Sequence, residues 1–181
     1  MEYNAIMLAG RNRALKSQDI LIILKIISLG SKSWRMIDLA YDLNLSPSEI
    51  SLGLERLKLS GLLDGEKKKP YYSALLEFII HGLKYVFPAD VGSIQRGIPT
   101  AHSYGESSKK IVSDQSFVWP SEDGTIRGTS ISPLYETAPF AAAKDEKLHH
   151  LLALIDSVRI GRAREQNFAK IELEKVLSSE S

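Results

Sequence analysis

The stretch Ile37-Asp38-Leu39-Ala40-Tyr41-Asp42-Leu43-Asn44-Leu45-Ser46-Pro47-Ser48-Glu49-Ile50 decides how the rest of the chain is read. Ile37, Leu39, Ala40 and Leu43 give one helix an inward face, and Asn44 suits the left-handed residue that ends it. Leu45 plugs the turn that follows. Ser46 stands at the N-cap of the next helix, with Pro47 in its first position. Glu49 lies three residues beyond Ser46, the spacing of a capping box. Ile50, Leu54 and Leu57 then recur at helical spacing until Gly61 stops the run.

Working outward, Ser17 precedes the apolar residues 20–29 and Gly30 follows them, which predicts a helix of about three turns. It has almost no polar face and should lie inside other elements. Ser33 is placed to cap the helix that ends near Leu43, and Trp34 at its start suits the core or a domain contact. Beyond Gly61, Leu62 and Leu63 form a short strand, and Asp64-Gly65-Glu66 with Lys67, Lys68 and Lys69 an exposed hairpin tip. Pro70, Tyr71 and Tyr72 return from it. Ser73 caps a fourth helix from Ala74 to about Phe87, apolar nearly all round.

The order helix, helix, tight turn, helix, two-strand wing, helix resembles the winged helix-turn-helix of MarR-like bacterial transcription regulators. The residues that carry this resemblance are 37–46, Ile50, Leu54, Leu57 and Gly61-Leu62-Leu63, within about 17–72. Ala40 sits where that family needs a small residue between two helices. The resemblance implies that the third helix enters the major groove of double-stranded DNA and that the wing touches the backbone or minor groove. Ser48, Glu49, Ser51, Leu52, Glu55, Arg56 and Leu59 face outward when Ile50, Leu54 and Leu57 face in. Many relatives carry Arg, Gln or Asn on this face, whereas here it bears two glutamates and two leucines. The expected DNA-binding set is Ser46, Ser48, Glu49, Ser51, Leu52 and Arg56, with Lys32 and Arg35 before the helix and Lys67, Lys68 and Lys69 after it. Ser48 and Ser51 suit base edges and Leu52 a thymine methyl, while the cations, with Lys16 and Lys58, suit phosphates. Arg11 and Arg13 beside Lys16 read equally as an arm reaching DNA or as a solvated leader.

Composition limits the alternatives. The net charge of +1 means that any phosphate-binding surface must come from local clustering. A hydrophobic fraction of 44% with 25% charged residues is that of a globular protein. The absence of cysteine excludes disulfides, thiolate zinc sites and cysteine nucleophiles, and it fits a reducing compartment. Residues 20–29 are interrupted by Lys25 and Ser28 and fall short of the roughly 20 residues of a membrane span. With no leader evident at Met1–Gly10, a cytoplasmic protein is expected.

Three segments are predicted: 1–88, 89–143 and 144–181. The fold class expected is mainly α with small β elements. In the middle segment Pro99, Pro120, Pro133 and Pro139 break periodicity, and residues 89–114 show none that can be read. Residues 116–119 and 125–131 flank Pro120-Ser121-Glu122-Asp123-Gly124 and predict a β-hairpin. In the last segment Leu148, Leu151, Leu152, Ile155 and Val158 form an apolar stripe, extended past Gly161 by Phe168, Ile171, Leu173 and Leu177. Such a stripe suits a homodimer seam. Arg159, Arg162 and Arg164 should form a solvated face with Glu165 and Glu172.

No chemistry of catalysis stands out. His81 lies in an apolar helix and reads as a core residue; His149 and His150 are adjacent and do not share a helix face. His102 has Asp90, Glu106 and Asp114 within reach in sequence, but no spacing of a metal site. No Gly-rich phosphate loop is present. The expectation is a non-enzyme without metal or cofactor. It is either a homodimeric DNA-binding repressor or a protein-interaction module, such as an antitoxin-like neutraliser of a partner protein.

Overall fold

The computed structural model describes residues 13–111 and 113–179, so Arg11 lies outside them. The architecture is mainly helical with a small three-strand sheet. Helices α1 (Ser17–Leu29), α2 (Met36–Leu43) and α3 (Pro47–Leu59) come first, followed by α4 (Tyr72–His81) and α5 (Leu83–Val86). Then come β1 (Val91–Thr100), a 3-10 turn (Ala101–Ser103), α6 (Gly105–Lys110), β2 (Phe117–Pro120) and β3 (Ile126–Ile131). Helices α7 (Ala138–Ala142), α8 (Glu146–Ile160) and α9 (Ala163–Ser179) complete the chain.

Local chemistry explains the first three helices. The caps of α1 and α2 fall on Lys16 and Arg35 instead of Ser17 and Ser33. In each case an aspartate at the third helical position takes the cap N–H: Asp19 at 2.8 Å and Asp38 at 3.0 Å. Asn44 ends α2 at φ 52°, ψ 48°, and Leu45 is buried in the turn. The Ser46–Glu49 box closes as the spacing predicts: Ser46 N–H donates to Glu49 Oε2 at 2.8 Å, and Glu49 N–H to Ser46 Oγ at 3.2 Å. The hairpin after α3 is short. It holds one bridge, Leu63 to Pro70, and its tip is closed by Asp64 Oδ1 accepting the N–H groups of Lys68 at 2.6 Å and Lys69 at 3.0 Å.

Three expectations about individual faces are corrected. Ile37 is 54% exposed, because Leu39 and Leu43 take the inward face of α2 and Ile37 with Tyr41 the outward one. The fourth helix breaks at Gly82 into α4 and α5, and only Leu75, Ile79 and Leu83 of it are buried. His81 is accordingly exposed and no core residue.

The expected hairpin is also corrected. Strands β2 and β3 both run antiparallel to β1 and parallel to each other, closing a three-stranded barrel. Gly97 is where β1 passes from one partner to the other: it pairs with both Pro120 and Ile126. A Cβ on Gly97 would stand 2.2 Å from the Trp119 carbonyl oxygen, and one on Gly124 would stand 2.3 Å from the Gly97 backbone. Only glycine permits this closure.

The stripe on α8, expected at a dimer seam, lies inside the chain. Leu148, Leu151, Leu152, Ile155 and Val158 are each 0 or 1% exposed within the single chain. They belong to one apolar cluster with α1, Leu75 and Ile79 of α4, Trp119 and Leu173. The seam is therefore intramolecular. Helix α1 is buried on all sides, α2 and α3 cover only part of it, and α8 covers another part. Asp145 secures the contact: it caps α8 through Leu148 N–H at 3.0 Å and accepts Lys25 Nζ at 2.8 Å and Ser28 Oγ at 2.6 Å. Lys25 also reaches Asp42 at 3.0 Å, so one buried cation ties α1 to both α2 and α8.

Arg159, expected at a solvated face, is buried as well. It donates to the carbonyls of Phe87, Pro88 and Ser132 and to Asp156 at 2.8–3.2 Å. These carbonyls lie in Pro-rich connections outside the sheet ladder, and a five-donor guanidinium satisfies three of them at once. Asp156 also accepts from Thr100 Oγ1 and Trp119 Nε1, each at 2.8 Å, joining α8 to the barrel. No helix among the described residues is long and apolar enough to cross a membrane.

Candidate functional site

The outer face of α3 is set from behind by two features. Gly53 faces α1 so closely that a Cβ there would meet Ile22 Cδ1 at 2.5 Å. One turn on, Arg56 extends beside Gly53 and grips Asp19 through Nε at 2.7 Å and a terminal nitrogen at 2.6 Å. Arg56 is 3% exposed and Asp19 0%. Arg56 is therefore withdrawn from the expected DNA-binding set: it holds α3 on α1. The sequence carried a signal for this in Asp19, an acid at the start of a helix with no polar face, for which burial demands a cation.

What α3 turns outward is Ser48, Ser51, Leu52, Lys58 and Leu59, all exposed, with Leu52 at 52% and Leu59 at 53%. Ser46 and Glu49 are occupied by the cap. The Ser46 N–H and hydroxyl both donate to Glu49 Oε2 and hold the Glu49 carboxyl below its usual range. The hairpin tip leans on the same helix: Lys67 pairs with Glu55, whose carboxyl it draws down. Lys68 Nζ lies 4.1 Å from the centroid of Trp34, a cation–π contact that explains why this half-buried tryptophan packs at the edge of the core. Arg35 is bidentate to Asp38 at 2.8 and 3.0 Å. Lys32 and Lys69 are exposed.

Thus Ser48, Ser51 and Leu52 share the outer face of α3, Lys67 is tied to that helix through Glu55 and Lys68 to Trp34, and Lys32, Arg35 and Lys69 are exposed. Ser46 and Glu49 lie at the start of α3 and Arg56 behind it. Outside this set, sequence reasoning missed an exposed aromatic cluster around Lys144. Tyr41, 75% exposed, and Phe140, 43% exposed, both contact the Lys144 ammonium, at 4.8 and 3.9 Å from their ring centroids. The i, i+4 pair Ile37–Tyr41 was the available signal.

The histidines divide into different roles. His149 is buried between Tyr104, stacked at 3.6 Å, and Trp119 at 5.2 Å, and its Nε2 bonds to the Pro99 carbonyl at 2.9 Å. Burial pushes its pKa down. It packs the barrel against α8. Comparison with protein-family models, with curated proteins and with solved structures finds no match.

Proposed function

We propose that this chain is a DNA-binding transcription regulator of the winged helix-turn-helix kind, in line with its resemblance to MarR-like regulators over residues 17–72. In this reading α1–α3 are the three helices of the motif, α3 lies in the major groove, and residues 64–69 are a shortened wing on the backbone. The observation that carries it is the outward row Ser48, Ser51 and Leu52 on the N-terminal half of α3, clear of the cap. The helix that bears them is fixed from behind by the buried Arg56–Asp19 pair. Base readout needs short polar and apolar side chains on a helix whose position does not drift.

Phosphate contacts fall to Lys32, Lys58 and Lys69 at once. Arg35 and Lys67 join them by giving up surface ion pairs that solvent already screens, and Lys68 by leaving the Trp34 ring. With α8 buried within the chain, one protomer presents one α3 and one tip. The test is an anisotropy titration on random duplex DNA across a salt series, followed by selection from random sites. Binding should weaken linearly on a log–log salt plot, and each lysine replaced should lower the slope by about 0.9. Ser51→Ala should cost about 1 kcal/mol at one or two base positions. Absence of salt-dependent binding would end this reading.

A second reading is a protein-docking module that neutralises a partner. The exposed Leu52 and Leu59 flanking Glu55 favour it, since phosphates gain nothing from them. Leu52→Ser with Leu59→Ser separates the two: partner capture is lost while the salt slope on DNA stays.

A further inference from the structure

A cavity of about 340 Å³ lies among the 3-10 turn, the connection after α6, β2 and the start of α9. His102, Asp114, Gln115, Phe117, Arg162 and Glu165 border it, and none of its lining belongs to α1–α3. His102 is 5% exposed. Its Nε2 bonds to the Gln115 carbonyl at 2.8 Å, and its ring meets Phe117 edge-on at 5.4 Å between centroids. A carbonyl only accepts, so Nε2 carries the proton of that bond. In the neutral ring Nδ1 is then a bare lone pair.

That Nδ1 is buried and has no hydrogen-bond partner, and the same holds for Oε2 of Glu165. A buried acceptor left without a donor is costly, and the two residues that carry these acceptors both line the cavity, so they call for the same complement. Both are acceptors and one is anionic, so the complement is an N–H donor with positive charge. A metal ion is a poorer fit, since no three His, Asp or Glu side chains among the described residues are grouped to hold one. Asp114 adds a second carboxylate to the lining. Arg162 borders the cavity from an exposed position, where water and salt screen it.

We infer that this cavity is a binding site for a small protonated amine or guanidinium, whose N–H groups meet His102 Nδ1 and Glu165 Oε2. Phe117 gives the carbon end of the ligand an apolar wall. Entry is by rotation of Glu165, which stands half-buried on the first turn of α9. The inference is independent of the DNA reading, because α3 takes no part in the site.

The test uses the full chain labelled with nitrogen-15, observing the imidazole nitrogens of the histidines during titration with methylammonium. Tetramethylammonium serves as the control, with the same charge and no N–H. Methylammonium should move the His102 Nδ1 resonance saturably, and tetramethylammonium should leave it in place. Glu165→Gln should weaken the methylammonium effect at least tenfold while the His102 Nε2–H signal and the circular dichroism spectrum stay as in the parent. No saturable shift, an equal shift with both cations, or undiminished binding by Glu165→Gln would each overturn the assignment.

Discussion

Replacing Arg56 by alanine removes a guanidinium that is 3% exposed and strands the carboxylate of Asp19, which is 0% exposed. In the parent chain Asp19 accepts three bonds, from Lys16 N–H at 2.8 Å and from Arg56 at 2.7 and 2.6 Å. Only the first survives the substitution. Removing one partner of a buried pair costs about 3–5 kcal/mol, because the remaining charge stays desolvated without compensation. Gly53 beside the vacated space has no side chain to move into it. For a chain of 181 residues each kcal/mol corresponds to roughly 2–4 °C, so the melting midpoint should fall by roughly 6–20 °C. Replacing both partners, as Asp19→Leu with Arg56→Met, removes both charges together and should recover all but about 1 kcal/mol, the cap that Lys16 N–H loses. Urea unfolding followed by the fluorescence of Trp34 and Trp119 reads both values. Under the DNA-binding function proposed above, titration of the same double variant with duplex DNA should give the affinity of the parent. A loss under about 1 kcal/mol for Arg56→Ala would refute the reasoning, since losses that small are typical of surface substitutions. So would a double variant that folds well and binds DNA poorly, which would put Arg56 back among the contacts.

Leu152→Ala should cost about 2–5 kcal/mol, as expected of a core cavity, with no change in molar mass by light scattering. Dissociation of a dimer at unchanged stability would instead return α8 to an intermolecular role. Gly97→Ala puts a carbon 2.2 Å from the Trp119 carbonyl oxygen and should destabilise the barrel by at least the roughly 1–3 kcal/mol of overpacking, read from Trp119 fluorescence on denaturation. Burial pushes the Asp145 carboxyl up, but Lys25, Ser28 and the Leu148 N–H outweigh it and the net direction is down. Its contribution is therefore complete above the unfolded aspartate value of about 3.9 and is lost as pH falls through the lower folded one. Thermal midpoints measured down a pH series should drop more steeply at the acid end for the parent than for Asp145→Asn, and parallel curves would contradict this.

The legible part of the fold is the part whose instructions are local. Asn44, Ser46, Pro47 and Glu49 fix a turn and a cap within six residues, and the structure places each where its chemistry predicts. The cap positions at Lys16 and Arg35 were harder, because an aspartate three residues later can do the work of a serine at the cap itself. Strand β1 left no readable pattern. Its first six residues are exposed, Gly92 and Gly97 are chosen for close approach, and Pro99 sits within it. Its partners lie beyond residue 116, so nothing near it in sequence marks it as a strand. The Asp123-Gly124 signal was real but served a different end. Gly124 lets the chain pass against Gly97, and the flanking strands each pair antiparallel with β1 and parallel with each other. On α3 the outward row followed from the helical period, whereas the inward turn of Arg56 depended on Asp19, 37 residues away.

Lys25 shows how the contact between the two ends of the chain could have been read. As a charge in an apolar run it looks like an interruption. A helix buried on every side, however, has no solvent to offer a lysine, and such a residue must be met by acids from whatever packs against it. Asp42 and Asp145 meet it, from α2 and from the cap of α8. The two acids draw the lysine pKa up although burial alone would lower it. Three buried polar knots then follow one another through the fold: Arg56–Asp19 joins α3 to α1, Lys25–Asp145 joins α1 to α8, and Asp156 with Thr100 and Trp119 joins α8 to the barrel. Apolar packing alone would tolerate sliding of one helix over another, but each knot is satisfied in only one register. The outer face of α3 is thus held in a fixed relation to the barrel through α1 and α8, with every link made inside one chain.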